Sequence, residues 1–232
     1  MNKEEILKNA KPILFNTEMV QAILDGRKTV TRRNPFKFEM KEGFNPDWSG
    51  YSLGEYYTGR IETGVCLYSR GAHDVWGVRS NVVKPKYKVG DILYVKEKFN
   101  DIETYSVLYA ADKDFIDYGC KRVDGYLFME SEVKWKSSIH MPKEAARIFL
   151  KITDVRVERL RDINGQGHHD DFFKEGIYKI GDATYRELSE RFENLWDNTI
   201  KKQDLDKYGW KANPWVWVIE FERVEIENEK KY

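Results

Sequence analysis

Eight consecutive residues, Gly26-Arg27-Lys28-Thr29-Val30-Thr31-Arg32-Arg33, carry four cations and two hydroxyls and no acid. Crowded positive charge disfavours a protonated lysine, which is one route to a neutral, reactive amine at Lys28. A neutral lysine can act as a base, and the Thr31 hydroxyl can attack or orient a carbonyl. Arg33 can stabilise an oxyanion or hold a phosphate. The same residues also read as a patch in which the four cations Arg27, Lys28, Arg32 and Arg33 neutralise a nucleic-acid backbone, with Lys28, Thr31 and Arg33 as the floor of a cleft. Both readings stay open on the local sequence.

The flanking pattern says how these residues are held. Asn16-Thr17-Glu18 reads as a helix start, Met19, Val20, Ile23 and Leu24 form an apolar stripe, and Gly26 sits where a helix-ending glycine belongs. The β-branched run Thr29-Val30-Thr31 then predicts a strand. Ile13-Leu14-Phe15 predicts an earlier one. From Asn34 to Tyr87 the periodicity loosens, with short strands only at Cys66–Tyr68 and Val75–Val78, so residues 34–87 read as an irregular insertion. Order returns at Val89–Val95, a turn and an alternating strand, and strand patterns recur at Val107–Ala110, Ala146–Ile152, Val155–Leu160 and Trp215–Phe221. Helices are predicted at Phe172–Ile177, ending at Gly176, and at Thr184–Asn198. Many strands with few helices predict one α+β domain over residues 1–232, a small mixed β-barrel with flanking helices and the inserted subdomain.

Composition narrows the function classes. The 232 residues hold 39 Lys plus Arg against 39 Asp plus Glu, so nucleic-acid contact would rest on a local patch. Cys66 and Cys120 stand far apart, without disulfide-framework or zinc-ribbon spacing, which fits a reduced, cytoplasmic setting. The polar stretch Met1–Lys11 predicts no signal peptide, and no apolar run approaches the ~20 residues of a membrane span.

Several motifs together resemble the ASCH domain family of the PUA-like superfamily, and more closely its prophage-encoded members. They are Lys28 to Arg33, Gly90 to Glu97, Trp135 to Pro142, Glu175-Gly176-Ile177 and Asn213 to Trp217. The resemblance implies a PUA-like barrel and recognition of RNA or a modified nucleoside. Some members are amidohydrolases on N4-acetylcytidine that use a lysine, a threonine and a glutamate. Their Ile-Leu-x-Gly-Arg-Lys-Thr-x-Thr pattern matches Ile23 to Thr31 and implies catalytic roles for Lys28, Thr31 and, through the Glu-Gly-Ile context, Glu175. Such an enzyme needs neither metal nor organic cofactor. A phage-derived protein–protein interaction module without catalysis is the alternative function.

Four further residues are candidate substrate contacts. Glu97 shares a strand face with Val95 and would need a cationic partner, for which Lys28 or Arg33 is available. Trp135 could stack on a base, and Ser138 and His140 share its irregular segment. His168-His169-Asp170-Asp171 lacks a third ligand at helical spacing and predicts no metal site. Trp215 and Trp217 share a strand face and predict a place in the barrel wall. Nothing in the chain sets its oligomeric state.

Overall fold

In the computed structural model, residues 3–33, 51–57, 63–69, 83–102, 106–164, 169–177 and 184–226 are described, with 51–57 and 63–69 as backbone. In chain order the elements are α1 (Lys3–Asn9), β1 (Lys11–Leu14), α2 (Thr17–Leu24), β2 (Val30–Arg33), β3 (Tyr51–Tyr57), β4 (Thr63–Ser69), β5 (Ile92–Lys96), β6 (Phe99–Ile102) and β7 (Ser106–Tyr109). They continue with α3 (Lys113–Tyr118), β8 (Cys120–Val123), β9 (Tyr126–Met129), β10 (Phe149–Arg159), α4 (His169–Lys174), α5 (Tyr185–Asp197), α6 (Leu205–Tyr208) and β11 (Trp215–Val224). The fold class is α+β.

One five-stranded sheet, in the order β1-β5-β10-β11-β2, positions everything that follows. β1 pairs with β5 in parallel; the other three ladders are antiparallel. Strand alternation splits β11 between two cores. Ile219 and Phe221 pack with Met19, Val20 and Ile23 of α2 and with Ile13, Val95, Leu150 and Ile152. Val216 and Val218 point the other way, to Val30, Phe172 of α4 and Leu188, Phe192 and Trp196 of α5. A third cluster joins Ile6 of α1 to Phe99, Met141 and Phe149. Because both faces of β11 are covered, its sequence reads as a nearly continuous apolar run.

The ladder does not close into a barrel among the described residues: β1 and β2 remain its edges. Each edge strand has only four residues. The gap is bridged by a side chain, with Arg33 Nη2 donating to the Leu14 carbonyl at 2.6 Å. The strand patterns at Ala146–Ile152 and Val155–Leu160 are one long strand, β10, whose pairing with β11 shifts register between Ile152 and Asp154. A bulge of this kind bends a strand without ending it, which is why its sequence pattern breaks in two.

Within the expected irregular insertion, β3 and β4 pair as an antiparallel hairpin, and the strand expected at Cys66–Tyr68 is part of β4. Val75–Val78 lies outside the described residues. The strand predicted at Val107–Ala110 is β7, which pairs with β6; β6, the β8–β9 hairpin and helices α1 and α3 carry short, partly exposed patterns with no counterpart among the predicted elements. Trp217 packs against the α2 core, whereas Trp215 lies beside the Arg159 guanidinium, 4.1 Å from its ring centre.

Ile152 is fully buried beside the bulge, whereas Ile139 is 60% exposed. Ile152→Ala should lower stability by about 2–5 kcal/mol in urea unfolding. Ile139→Ala should stay within about 0.5 kcal/mol of the parent.

Candidate functional site

The sharp turn after α2 places Lys28 inside the molecule. The Asn16 side chain caps α2 by accepting from the Met19 N–H at 2.9 Å. Gly26 then takes a positive φ of 73°. The backbone N–H groups of Arg27 and Lys28 both donate to the Ala22 carbonyl, at 2.8 and 2.9 Å. These bonds satisfy carbonyl capacity at the helix end and direct the chain into β2. The Thr29 N–H donates to the Lys174 carbonyl at 2.9 Å, tying this turn to the end of α4.

Lys28 is 3% exposed, and its ammonium donates to three oxygens: Val30 O at 2.6 Å, Glu175 O at 2.7 Å and Glu175 Oε2 at 2.9 Å. An ammonium has three donors, so this one is saturated. Burial pulls the Lys28 ammonium below the usual lysine range, while the Glu175 carboxylate opposes that shift. The second oxygen of Glu175, Oε1, accepts from Arg32 Nη1 at 3.0 Å. Arg32 also donates from Nη2 to Glu158 Oε2 at 3.1 Å and lies 3.7 Å from Asp171 Oδ2.

Gly176 permits this approach. It has a φ of +86°, and a Cβ there would lie 3.0 Å from Ala22 Cβ and 3.3 Å from Lys28 Cδ. Only a residue without a side chain lets the turn after α4 seat Glu175 against the lysine stem.

A cavity of about 340 Å³ opens at the gap between β1 and β2. Its polar floor is Lys28, Thr31, Arg32, Arg33 and Glu175; Phe15, Met19, Phe192, Leu195 and Trp196 supply an apolar wall. Alternation along β2 sends Thr31 and Arg33 to one face and Val30 and Arg32 to the other. The Arg33 guanidinium lies 4.8 Å from the Phe15 ring centre. Its Nε is buried without a hydrogen-bond partner.

The structure thus brings Lys28, Thr31, Glu175 and Arg33 to one cavity. It also brings Arg32, expected as one of the four patch cations, onto the floor itself. Period-two alternation from Val30 is the signal that could have placed it there. Phe192 and Trp196 pack α5 against β11 and in addition line the cavity.

The other candidates lie elsewhere. Arg27 pairs with Asp25, one residue before the acid-free stretch, with Nη2 to Oδ2 at 2.9 Å. Glu97 does not meet Lys28 or Arg33, because β5 lies across the sheet from β2. It is fully buried and takes a bidentate pair from Arg147, Nε to Oε1 and Nη2 to Oε2, both at 2.9 Å. Trp135 packs edge-on against Phe115, with ring centres 5.3 Å apart, and Ser138 and His140 sit in a short helical turn outside the cavity. His168 lies outside the described residues. Among the described residues, no group of three His, Cys, Asp or Glu side chains is arranged to hold a metal ion.

The Glu97 pair belongs to a second buried charge cluster. Arg147 also reaches Asp112 Oδ1, Lys121 donates to Asp112 Oδ2 at 2.6 Å, and the Arg147 guanidinium stacks 3.9 Å from the Tyr109 ring centre. Burial pushes the Glu97 carboxyl up, against the pull of Arg147. Burial also pushes the Tyr109 phenol up to about 12. Its hydroxyl donates to the Ala145 carbonyl at 2.6 Å.

No family model, curated protein or solved structure matches this chain.

Two measurements check these environments. Gly176 and Gly90 both have positive φ, but only at Gly176 would a Cβ meet other atoms within 4 Å. Gly176→Ala should therefore destabilise more than Gly90→Ala, whose cost is the ~1–2 kcal/mol of left-handed backbone strain alone. Tyr109, whose folded value lies above its unfolded one, contributes stability below pH 10 that is lost as pH rises through about 12. Unfolding curves across that window should fall more steeply for the parent than for Tyr109→Phe.

Proposed function

We propose that the cavity binds a modified nucleoside and hydrolyses an N4-acylated cytidine, within an ASCH-type sheet of PUA-like ancestry. The observation that carries this reading is the buried Lys28–Glu175 ion pair beside Thr31 on the floor of a cavity of nucleoside scale. The Trp196 and Phe192 side of the cavity suits a planar base, and the β2 side supplies donors.

The chemistry follows from the pairing. Lys28 and Glu175 exchange a proton across their 2.9 Å contact, which yields a neutral amine and a carboxylic acid. The amine takes the Thr31 proton as its oxygen attacks the acyl carbon. Arg33, with its unpartnered Nε, donates to the oxyanion. Glu175 protonates the departing N4 amine of cytidine, which restores the ammonium–carboxylate pair. In a second step Glu175 takes a proton from the water that attacks the acyl-Thr31 ester and returns it to the Thr31 oxygen as the acid departs, so the cycle closes without an external acid.

The charge arrangement favours a nucleoside over a long RNA. Of the four cations in the basic stretch, Arg27 pairs with Asp25, and Lys28 and Arg32 are committed to buried carboxylates. Arg33 is left as the phosphate-binding candidate, so the affinity for single strands should carry a log–log salt slope of about −0.7 at most. Among the described residues no helix is long and apolar enough to cross a membrane. A second reading, the interaction module, draws on exposed apolar side chains of α3 and the β8–β9 hairpin, where Tyr118 is 74%, Tyr126 73% and Leu127 53% exposed.

Incubation with N4-acetylcytidine should release cytidine above the enzyme-free rate, read by chromatography. Lys28→Arg, which cannot deprotonate at working pH, should reduce that rate by about 10²-fold or more, in the range of a lost acid–base group. Absence of release by the parent protein removes this substrate.

A further inference from the structure

The cavity floor contains one charged side chain for which the proposed chemistry has no direct use. We propose that Arg32 is a positioning residue: it fixes Glu175 Oε1, so that Oε2 alone exchanges a proton with Lys28. This inference rests on the nucleoside-hydrolase reading, and its test separates the two.

Three observations carry it. First, the two oxygens of Glu175 are divided between two cations, Oε1 to Arg32 Nη1 at 3.0 Å and Oε2 to Lys28 Nζ at 2.9 Å. A carboxylate held at one oxygen loses its freedom to rotate, so the other oxygen stays aimed at the amine. Second, Arg32 borders the cavity but is committed to protein carboxylates: its side chain is 1% exposed, and its two terminal nitrogens donate to Glu175 and Glu158, which leaves Nε alone unpartnered. Its charge is already matched by Glu175, Glu158 and Asp171.

Third, Arg32 is itself anchored on both sides. Glu158 on β10 receives Arg32 through Oε2 and Arg156 Nε through Oε1, the latter at 2.5 Å. Arg156 in turn reaches Asp154 Oδ2 at 2.8 Å and Glu220 on β11. On the helix side, the Glu175 N–H donates to the Asp171 carbonyl at 3.0 Å, so the two acids stand four residues apart on one continued helical turn facing Arg32. The guanidinium therefore joins β10 to the end of α4 through a planar fork. A lysine cannot reproduce that fork, because its ammonium is a compact charge without paired in-plane donors.

The test compares the parent with Arg32→Lys, and with Arg32→Gln should the lysine variant fail to fold. Three quantities are read: the urea midpoint, kcat and KM on N4-acetylcytidine, and the 1H–15N NMR signal of the Lys28 side chain. In the folded variant, kcat should fall at least tenfold, KM should stay within twofold, and the Lys28 signal should shift or broaden as Glu175 gains freedom. A raised KM with kcat retained would make Arg32 a ligand contact and overturn the proposal. A lowered urea midpoint with both kinetic constants unchanged would make Arg32 a structural clamp and overturn it equally. If the parent shows no turnover, the hydrolase reading fails by itself and the Lys28 signal decides the positioning role. A changed signal in the variant supports the role; an unchanged one overturns it.

Discussion

The buried pair of Lys28 and Glu175 is the contact on which the rest of the site depends. Two charges removed from water cost several kcal/mol each, and their attraction offsets that cost only with good geometry and further hydrogen bonds. The structure meets both conditions. Lys28 has three oxygen acceptors and Glu175 has two cations. The geometry requires a tight helix end at Gly26, a side-chain-free position at Gly176 and a short strand that alternates Thr31 against Arg32. The sheet order places β2 at an edge, which leaves the cavity open beside the pair.

The buried charges among the described residues fall into two ion-paired clusters at the joints between elements. One cluster joins β2, β10, β11 and α4 through Arg32, Glu158 and Arg156. The other joins β5 to the start of α3 and to β8 through Glu97, Arg147, Asp112 and Lys121. Among the described residues the buried charged side chains are Lys28, Arg32, Glu97, Asp112 and Glu175, and each is neutralised locally by an ion pair. The same neutralisation decides how the basic stretch behaves, because a cation held by buried carboxylates is not free to meet phosphate.

Much of this was legible in the sequence where one pattern sufficed. The α2 stripe, the capping Asn16, the glycine after it and the capped helix α5 all follow from local rules that the structure meets residue by residue. The bulge in β10 was not legible, because a register shift leaves only a break in alternation. Closure of the sheet was also beyond the local pattern, since pairing of edges depends on distant strands. At the site, Lys28 and Glu175 lie 147 positions apart, so nothing in spacing could pair them. The partner of Glu97 was hidden for the same reason: Arg147, fifty positions away, stands closer in space than the basic stretch that looked available.

The central claim is that Lys28 and Glu175 act as one buried ion pair that organises the cavity, and a double-mutant cycle on unfolding free energy tests it most directly. Removing one charge, by Lys28→Met or by Glu175→Leu, leaves the other buried and alone and should cost about 3–5 kcal/mol in either case. Removing both should cost clearly less than the sum, with a coupling of about 0.5–3 kcal/mol or more. Single variants near parental stability, or a double variant whose loss equals the sum of the two, would contradict the account.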